Sequence, residues 1–296
     1  MSLVSLVKIK SETEIKKGIA EALNLIQYSW PAGTEKIVIK PNMCYYWDYS
    51  TGQTTDPRFV AGLIEFIREE LSSNVNISIV ESDASAMRCK YAFRFLGYER
   101  LAKDCGVRLV NLSEDVCEKV KVTVKNEDFE FAVPKTIKEA DLRINVPKIK
   151  FLSHTKISCA LKNIFGCNPE PKKFQYHPKL DEVIVALNKV MKFDVHILDG
   201  LIVSGRHPVK LGLIMASKDL AAFDSAAARI AGVSPKSVRH IMLAETEGLG
   251  SHKFASIGED LRYFAKLFPK RRLKDKFLSS AYTFATKTGL LKVNML

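Results

Sequence analysis

Basic and polar side chains follow four short apolar runs of the sequence, where the strands of a sheet would end. These sets are Lys40 with Asn42, Ser82 with Asp83, Lys148 with Lys150, and Asp199 with Gly200. In open parallel sheets ligands bind beyond the carboxyl ends of the strands, so we expect these side chains to share one site. Because ammonium groups bind phosphate and carboxylate, the predicted ligand is an anion.

The densest set of candidate residues lies in the segment 147–166, which combines lysines with histidine, asparagine and small residues. If residues 155–163 form a helix, Ser153 or Thr155 can cap its N-terminus. The backbone amides at such a helix start, beside the lysines and His154, would bind a phosphate or a carboxylate.

Lys162 lies among apolar residues of the same segment, between Leu161 and the pair Ile164-Phe165. On the predicted helix it shares one face with Ser158. An ammonium group in apolar surroundings has a lowered pKa, which suits a base or an electrostatic catalyst. The competing interpretation is a solvated face of a surface helix.

The positive charge of the chain is concentrated in two segments. The formal net charge is +12, and residues 146–180 and 261–296 carry local excesses of +6 and +8. The rest of the chain is therefore slightly acidic. Such local basicity indicates surfaces that face anions.

The elements that must position these residues alternate along the chain. Short apolar runs, such as Lys36–Lys40 and Leu142–Val146, alternate with amphipathic stretches, such as Glu12–Gln27. This alternation is typical of βαβ units. We therefore predict an α/β fold with a largely parallel, Rossmann-like sheet and flanking helices.

The chain is predicted to form an α/β body over residues 1–255, with two lobes that could meet near residue 146. Residues 256–296 are predicted to form a helical, basic C-terminal extension with interspersed aromatic residues. A basic stripe with stacking rings is typical of nucleic-acid binding, although the same aromatics could dock on the core. Docking on a membrane surface is a further alternative.

Several function classes lose support from the sequence. The glycine motifs of P-loop, dinucleotide-binding and serine-hydrolase proteins are absent, and the six cysteines contain no C-x-x-C pair. Asp83, Asp199 and His154 could hold a divalent ion, but no cofactor is predicted. With no apolar run of roughly 20 residues and no signal peptide evident, we expect a cytoplasmic protein.

The sequence resembles the family called Domain of Unknown Function 362 over about residues 1–250. The matching residues are Lys40-Pro41-Asn42, Thr55-Asp56-Pro57, Ser82-Asp83, Asn145-Val146-Pro147-Lys148 with Lys150, Ser153-His154-Thr155, Ala160-Leu161-Lys162-Asn163-Ile164-Phe165-Gly166 with Cys167, Lys173, His177, Asp199-Gly200, Asp219 and Asp224. Many relatives have Gly-Asn-Gly-Pro where this chain has Gly205-Arg206-His207-Pro208, and many carry a ferredoxin-like domain that is not visible here. The resemblance implies an α/β fold and site positions, without a reaction.

The leading hypothesis is an enzyme that acts on a small anionic metabolite bearing phosphate or carboxylate. Its predicted catalytic residues are Lys162, His154 and Asp199. Its predicted substrate-binding residues are Lys40, Asn42, Asp83, Lys148, Lys150, Asn163, Lys173 and His177, the last of them from the resemblance. The alternatives are an iron-sulfur-associated redox protein that uses Cys159 and Cys167 or the cluster of a partner, and a nucleic-acid-binding protein that uses the basic tail. Substrate, metal and oligomeric state are not predicted.

Overall fold

The computed structural model describes residues 1–270. The strands in this range are β1 (Ser2–Lys8), β2 (Lys36–Pro41), β3 (Asn76–Glu81), β4 (Arg108–Asn111), β5 (Cys117–Val124), β6 (Glu127–Pro134), β7 (Leu142–Val146), β8 (Lys150–Leu152), β9 (Lys156–Ser158), β10 (Val195–Val203), β11 (Val209–Ser217) and β12 (Phe254–Gly258). The α-helices are α1 (Ile15–Leu25), α2 (Pro57–Glu70), α3 (Cys89–Phe95), α4 (Tyr98–Cys105), α5 (Lys135–Lys138), α6 (Ala160–Ile164), α7 (Leu180–Val190), α8 (Leu220–Ile230), α9 (Arg239–Thr246) and α10 (Leu261–Leu267).

Local sequence signals set the bounds of the main helices. Asp56 and Asp219 precede α2 and α8, and each carboxylate accepts a hydrogen bond from a backbone amide of the first turn. Pro57 is suited to the first position of α2 because its ring fixes φ and it has no N–H to satisfy. Gly232 follows α8 with a φ of +68°, a backbone conformation that glycine adopts without steric cost.

Eight strands form the central sheet, in the order β12-β1-β11-β10-β7-β2-β3-β4. β11 runs antiparallel to both of its neighbours, β1 and β10. The other neighbouring pairs are parallel. β5 with β6, and β8 with β9, form two separate antiparallel hairpins. The sheet is therefore mixed and mostly parallel.

The chain changes its direction of growth across the sheet at β2. β3 and β4 are added on one side of β2, and the chain then returns to place β7 and β10 on the other side. In doubly wound sheets ligands bind at such a switch point, beyond the carboxyl ends of the strands. The register pairs Lys40 with Asn145, so the carboxyl ends of β2 and β7 meet there.

Alternation along the strands divides the core into two layers. Ile37 and Ile39 of β2 pack with α1 to α4 on one face, and Val38 packs with α6 to α9 on the other. Because Lys40 lies two residues after Val38, its side chain shares the face that α6 covers. Asn163 of α6 donates a hydrogen bond to the Lys40 carbonyl oxygen across this layer.

The predicted α/β fold with a largely parallel sheet and flanking helices is confirmed. The predicted helix over residues 155–163 is wrong, because β8 and β9 form a hairpin and α6 begins only at Ala160. β8 and β9 have only three residues each, so their period of two is too short to outweigh the helix-favouring residues that follow. Thr155 therefore caps no helix, and Ser158 shares no helical face with Lys162.

The predicted boundary between residues 255 and 256 falls inside β12, which pairs with β1. The following helix, α10, packs on α8, and Phe264 and Phe268 are buried in the core. Residues 271–296, which complete the predicted extension, lie outside the described residues. The division into a body and an extension stays a prediction.

In residues 1–270, no helix combines the length and the apolar character that crossing a membrane requires.

Candidate functional site

Lys40, at the carboxyl end of β2, carries a buried ammonium group. Its Nζ lies 2.8 Å from Oε2 of Glu81, the last residue of β3, and donates to the Pro41 carbonyl oxygen at 2.6 Å. Both side chains of the ion pair are almost fully buried. Because an unpaired buried charge is strongly destabilising, Glu81 is the group that lets the sheet edge hold Lys40.

Lys148 and Asp199 form a second buried ion pair, with an Nζ to Oδ2 distance of 3.1 Å. Lys148 also donates to the Ile202 carbonyl oxygen at 2.7 Å. The Asp199 carboxylate accepts hydrogen bonds from the amides of Asp56 and Leu201. Burial raises the pKa of Asp199, and the Lys148 charge opposes this shift. With both oxygens accepting, Asp199 is placed as a counter-ion that orients Lys148.

Lys150 begins β8 and is buried without a carboxylate partner among the described residues. Its Nζ donates to Asn42 Oδ1 at 2.7 Å and to the Gln53 carbonyl oxygen at 2.9 Å. The thiol of Cys44 also forms a hydrogen bond with it. Burial lowers the pKa of Lys150, and the charge of Lys148 adds to this effect. The hydrogen bonds to uncharged oxygen atoms fix the position of the Lys150 ammonium group, but they supply no negative charge to balance it.

Lys173 reaches the same edge of the sheet from the loop after α6. Its Nζ donates to Ser82 Oγ at 2.5 Å, and this hydroxyl lies 2.5 Å from the Gly166 carbonyl oxygen and 2.9 Å from that of Asn168. Burial lowers the pKa of Lys173 to about 8, although the Glu81 carboxylate opposes the shift. Ser82 thus connects β3, the loop after α6 and Lys173.

Lys162 lies on α6 and is partly exposed. Its Nζ is 4.4 Å from the centre of the Phe165 ring, and within residues 1–270 it has no hydrogen-bond acceptor or carboxylate partner. Burial lowers the pKa of Lys162 to about 8, and the positive charges of Lys150 and Lys173 contribute. An accessible amine with a lowered pKa can transfer protons near neutral pH.

His154 and His177 lie beside Lys162, with 4.9 Å between their ring centres. Burial lowers the pKa of His177 to about 4, and His154 and Lys162 add to the shift. Burial and the Lys162 charge also lower the pKa of His154. Both imidazoles are therefore neutral near physiological pH and can accept a proton or a hydrogen bond.

A network of buried amides positions α6 over the strand ends. The Asn163 amide donates to the Asn145 side-chain oxygen at 2.8 Å, and Asn145 donates to the Ala160 carbonyl oxygen at 3.0 Å. Asp224 of α8 accepts from the Ala160 amide at 2.7 Å. Lys162 therefore lies on a short helix that is held by hydrogen bonds at its start and along its inner face.

Gly166, just after α6, lets the backbone approach the first ion pair closely. A Cβ atom at this position would lie 3.0 Å from Nζ of Lys40 and 3.0 Å from Oε1 of Glu81. Any larger residue would therefore compete for space with a buried ion pair whose geometry is fixed.

The lysines of this site outnumber its carboxylates. The lysines are Lys40, Lys148, Lys150, Lys162 and Lys173, and the carboxylates paired with them are Glu81 and Asp199. In residues 1–270 the last three lysines have no carboxylate within ion-pair distance. Burial, with a smaller contribution from neighbouring lysines, lowers the pKa of all three, so their charged forms are disfavoured here. A bound anion would supply the missing negative charge.

The described partners of the Asp83 carboxylate are groups other than these lysines. Its carboxylate accepts from Arg88 Nη1 at 3.0 Å and from the Cys89 amide at 2.8 Å, which anchors the start of α3. Asp83, Asp199 and His154 therefore do not form the suggested divalent-ion site. No cluster of three or more metal-ligating side chains occurs anywhere in residues 1–270.

Two residues that contact predicted site residues were not assigned to the site from the sequence. Glu81 pairs with Lys40, and Cys44 interacts with Lys150. Ser82, which was expected at this edge, accepts from Lys173, and Asn145, named only by the resemblance, accepts from Asn163. The sequence signal that could have identified Glu81 is its position as a carboxylate directly after the apolar run Ile77–Val80.

Cys159 and Cys167 are buried, and burial raises the pKa of both thiols, that of Cys167 to about 12. Buried thiols of this kind are unreactive.

Comparison with family models gives one match over more than half of the chain. The model of the family described as Domain of unknown function (DUF362) matches residues 37–229. This range includes the lysines, the carboxylates and the two histidines described above.

Two individual proteins show partial similarity. A thylakoid-associated protein of Synechocystis is 30% identical over 124 residues, which are 38% of this chain and 39% of that protein. The lactate racemase apoprotein from Thermoanaerobacterium thermosaccharolyticum has a TM-score of 0.48 and 14% identity, and the match covers 79% of this chain and 58% of that chain. The chain thus spans less than two thirds of the length of either protein.

Proposed function

The chain belongs to the family described as Domain of unknown function (DUF362), and because that description states no activity, we propose a function from the site itself. The protein is an enzyme that acts on a small metabolite bearing a phosphate or a carboxylate. The observation that carries this proposal is that Lys150, Lys162 and Lys173 have no carboxylate partner within residues 1–270. Holding three such charges at one edge of a sheet is unfavourable unless an anion binds there.

The proposed roles follow from how each group is held. Lys150 and Lys173 are fixed by hydrogen bonds to neutral oxygens, so they hold the anion in a defined position. The Lys40 and Lys148 ion pairs and Asn163 shape the floor of the site. Their charges are balanced, and they orient the groups above them.

Acid–base chemistry is assigned to Lys162 and His154, two of the partly exposed residues of the site. Lys162, with a pKa of about 8, exchanges protons near neutral pH. His154 interacts electrostatically with it and stays neutral, so it can accept a proton. Asp199 acts through Lys148 in this proposal, and Asp83 acts through α3.

The test is a comparison of Lys162→Met with Lys156→Met. Lys156 is exposed, and its Nζ donates to the Ser237 carbonyl oxygen, away from the site lysines. Methionine keeps most of each side-chain stem, so both variants should fold. We expect inorganic phosphate to raise the melting temperature of the wild type and of Lys156→Met, because a ligand of the native state stabilises it by mass action.

The phosphate-induced shift should be reduced or lost in Lys162→Met. The same screen with phosphorylated and carboxylated metabolites would identify the substrate class. If Lys162→Met keeps the full shift with every stabilising anion, or if Lys156→Met abolishes it, the assignment of the site is wrong.

The proposal also covers the location of the protein and the role of its basic tail. We place the protein in the cytoplasm, acting on a diffusible metabolite. Binding of polyanions by the basic tail over residues 261–296 stays a prediction. Deleting residues 271–296, which lie outside the described residues, should weaken nucleic-acid binding and leave the phosphate-induced shift unchanged.

A further inference from the structure

Among the site lysines, Lys162 alone is partly exposed to solvent and donates no hydrogen bond to an oxygen atom of residues 1–270. Lys40, Lys148, Lys150 and Lys173 are buried and donate to oxygen atoms. Lys162 is partly exposed, and its described contact is with the face of the Phe165 ring. Its Nζ is therefore positioned to meet a ligand instead of supporting the fold.

We propose that the Lys162 amine forms an imine with an aldehyde or a ketone that carries a carboxylate or a phosphate. This inference rests on the proposed anion site, because the anionic group of the substrate is held by Lys150 and Lys173. Those two ammonium groups act on Lys162 electrostatically and are fixed by Asn42 and Ser82. A neighbouring cation and desolvation are the two arrangements that activate lysine nucleophiles.

The charge state of Lys162 supports this role. With a pKa of about 8 in place of 10.5, the neutral and nucleophilic form is more abundant at neutral pH. The gain relative to an ordinary lysine is on the order of a few hundred-fold. His154 and His177, neutral beside Lys162, can take the proton that the attacking nitrogen releases.

The step balances without an oxidant or a reductant. The lone pair of Nζ forms a C–N bond with the carbonyl carbon, and the carbonyl oxygen becomes a hydroxyl. This hydroxyl then leaves as water, which carries away the oxygen and both N–H protons. The product is a neutral imine, and one further proton converts it into the iminium ion. The protein supplies proton transfer and holds the anionic group of the substrate.

The experiment uses the full chain, glyoxylate as the probe and cyanoborohydride to reduce any imine to a stable carboxymethyl amine. Labelling at about pH 7.5 is followed by peptide mapping with mass spectrometry, since amine reactivity depends on the neutral fraction. We expect Lys162 to be labelled at least about tenfold faster than exposed Lys156 in the same sample. The terminal α-amino group reports the unassisted rate.

Inorganic phosphate should slow labelling of Lys162 and leave Lys156 unaffected, because it competes for the anion site. Labelling of Lys162 at the rate of Lys156, or without protection by phosphate, overturns the inference. If phosphate stabilises the protein while Lys162 stays unlabelled, the imine is wrong and the anion site stands. If phosphate neither stabilises nor protects, both are wrong. Lys162→Arg, which keeps the charge, should retain the phosphate-induced shift and lose the fast label.

Discussion

Replacing Lys173 with methionine should separate the stability of the fold from the binding of an anion. Burial lowers the pKa of Lys173 from 10.5 to about 8, and the side chain is 9% exposed. One pKa unit corresponds to about 1.4 kcal/mol, so keeping this ammonium charged in the fold costs about 3 kcal/mol. The methionine variant avoids this cost, but it also loses the hydrogen bond to Ser82, which reduces the gain in stability by about 1 kcal/mol.

We therefore expect Lys173→Met to be more stable than the wild type by about 1–2 kcal/mol at pH 7 in a buffer without phosphate or sulfate. Chemical denaturation gives the free energy of unfolding, and phosphate titration gives the affinity. The affinity should fall, since one of the two fixed ammonium groups is gone. Lys172→Met, an exposed neighbour, is the control and should change neither quantity.

The pH dependence provides a second signature. Below a pH of about 8 the lysine is charged in both states, and the advantage of the variant is constant. Between about 8 and 10.5 the folded lysine releases a proton that the unfolded chain keeps, so the wild type gains stability and the advantage shrinks. A variant that is less stable than the wild type by more than about 1 kcal/mol, or that binds phosphate normally, would refute this reasoning.

Three further predictions concern the same edge of the sheet. Phosphate binding near pH 8 should take up protons, because a bound anion raises the pKa values of Lys162 and Lys173 from about 8. Calorimetry in two buffers of different ionisation enthalpy measures the number of protons taken up. Release of protons on binding would contradict the prediction. Glu81→Gln leaves Lys40 without its counter-charge and should lower the free energy of unfolding by about 3–5 kcal/mol, whereas an unchanged value in a denaturant titration would show that Lys40 finds another partner. Gly166→Ala should lower it by about 1–3 kcal/mol through overpacking against the same pair, and a neutral result would mean that the loop shifts without cost.

The sequence predicted the main features of the fold because its long elements carry strong periodic signals. Runs such as residues 36–40 and 142–146 read as strands, and Pro57 and Gly232 mark helix ends. The short hairpin of β8 and β9 was missed, since two three-residue strands give too little periodicity to outweigh nearby helical residues. Its turn also places Lys156 at a φ of +64°, which no local residue type indicates.

The sequence could predict those residues of the candidate site that directly follow a strand. Lysines that follow apolar runs could be assigned to one edge, but their partners depend on which strands are neighbours. Glu81 pairs with Lys40 because β3 lies beside β2, and Asp199 meets Lys148 because β10 lies beside β7. Strand order is a property of the whole fold, so counter-ions and unpaired charges could not be told apart from the sequence.

The position of the switch point also bears on how the protein folds. Lys40, Lys150 and Lys173 come from distant parts of the chain and approach one another only when β7 has docked beside β2. Such non-local pairing is slow, and here the closing step also brings like charges together. If these lysines are already close together in the folding transition state, phosphate in the refolding buffer stabilises that state. Phosphate should then accelerate the final folding phase. The anion that we propose for the folded protein would in this way also assist the assembly of its own site.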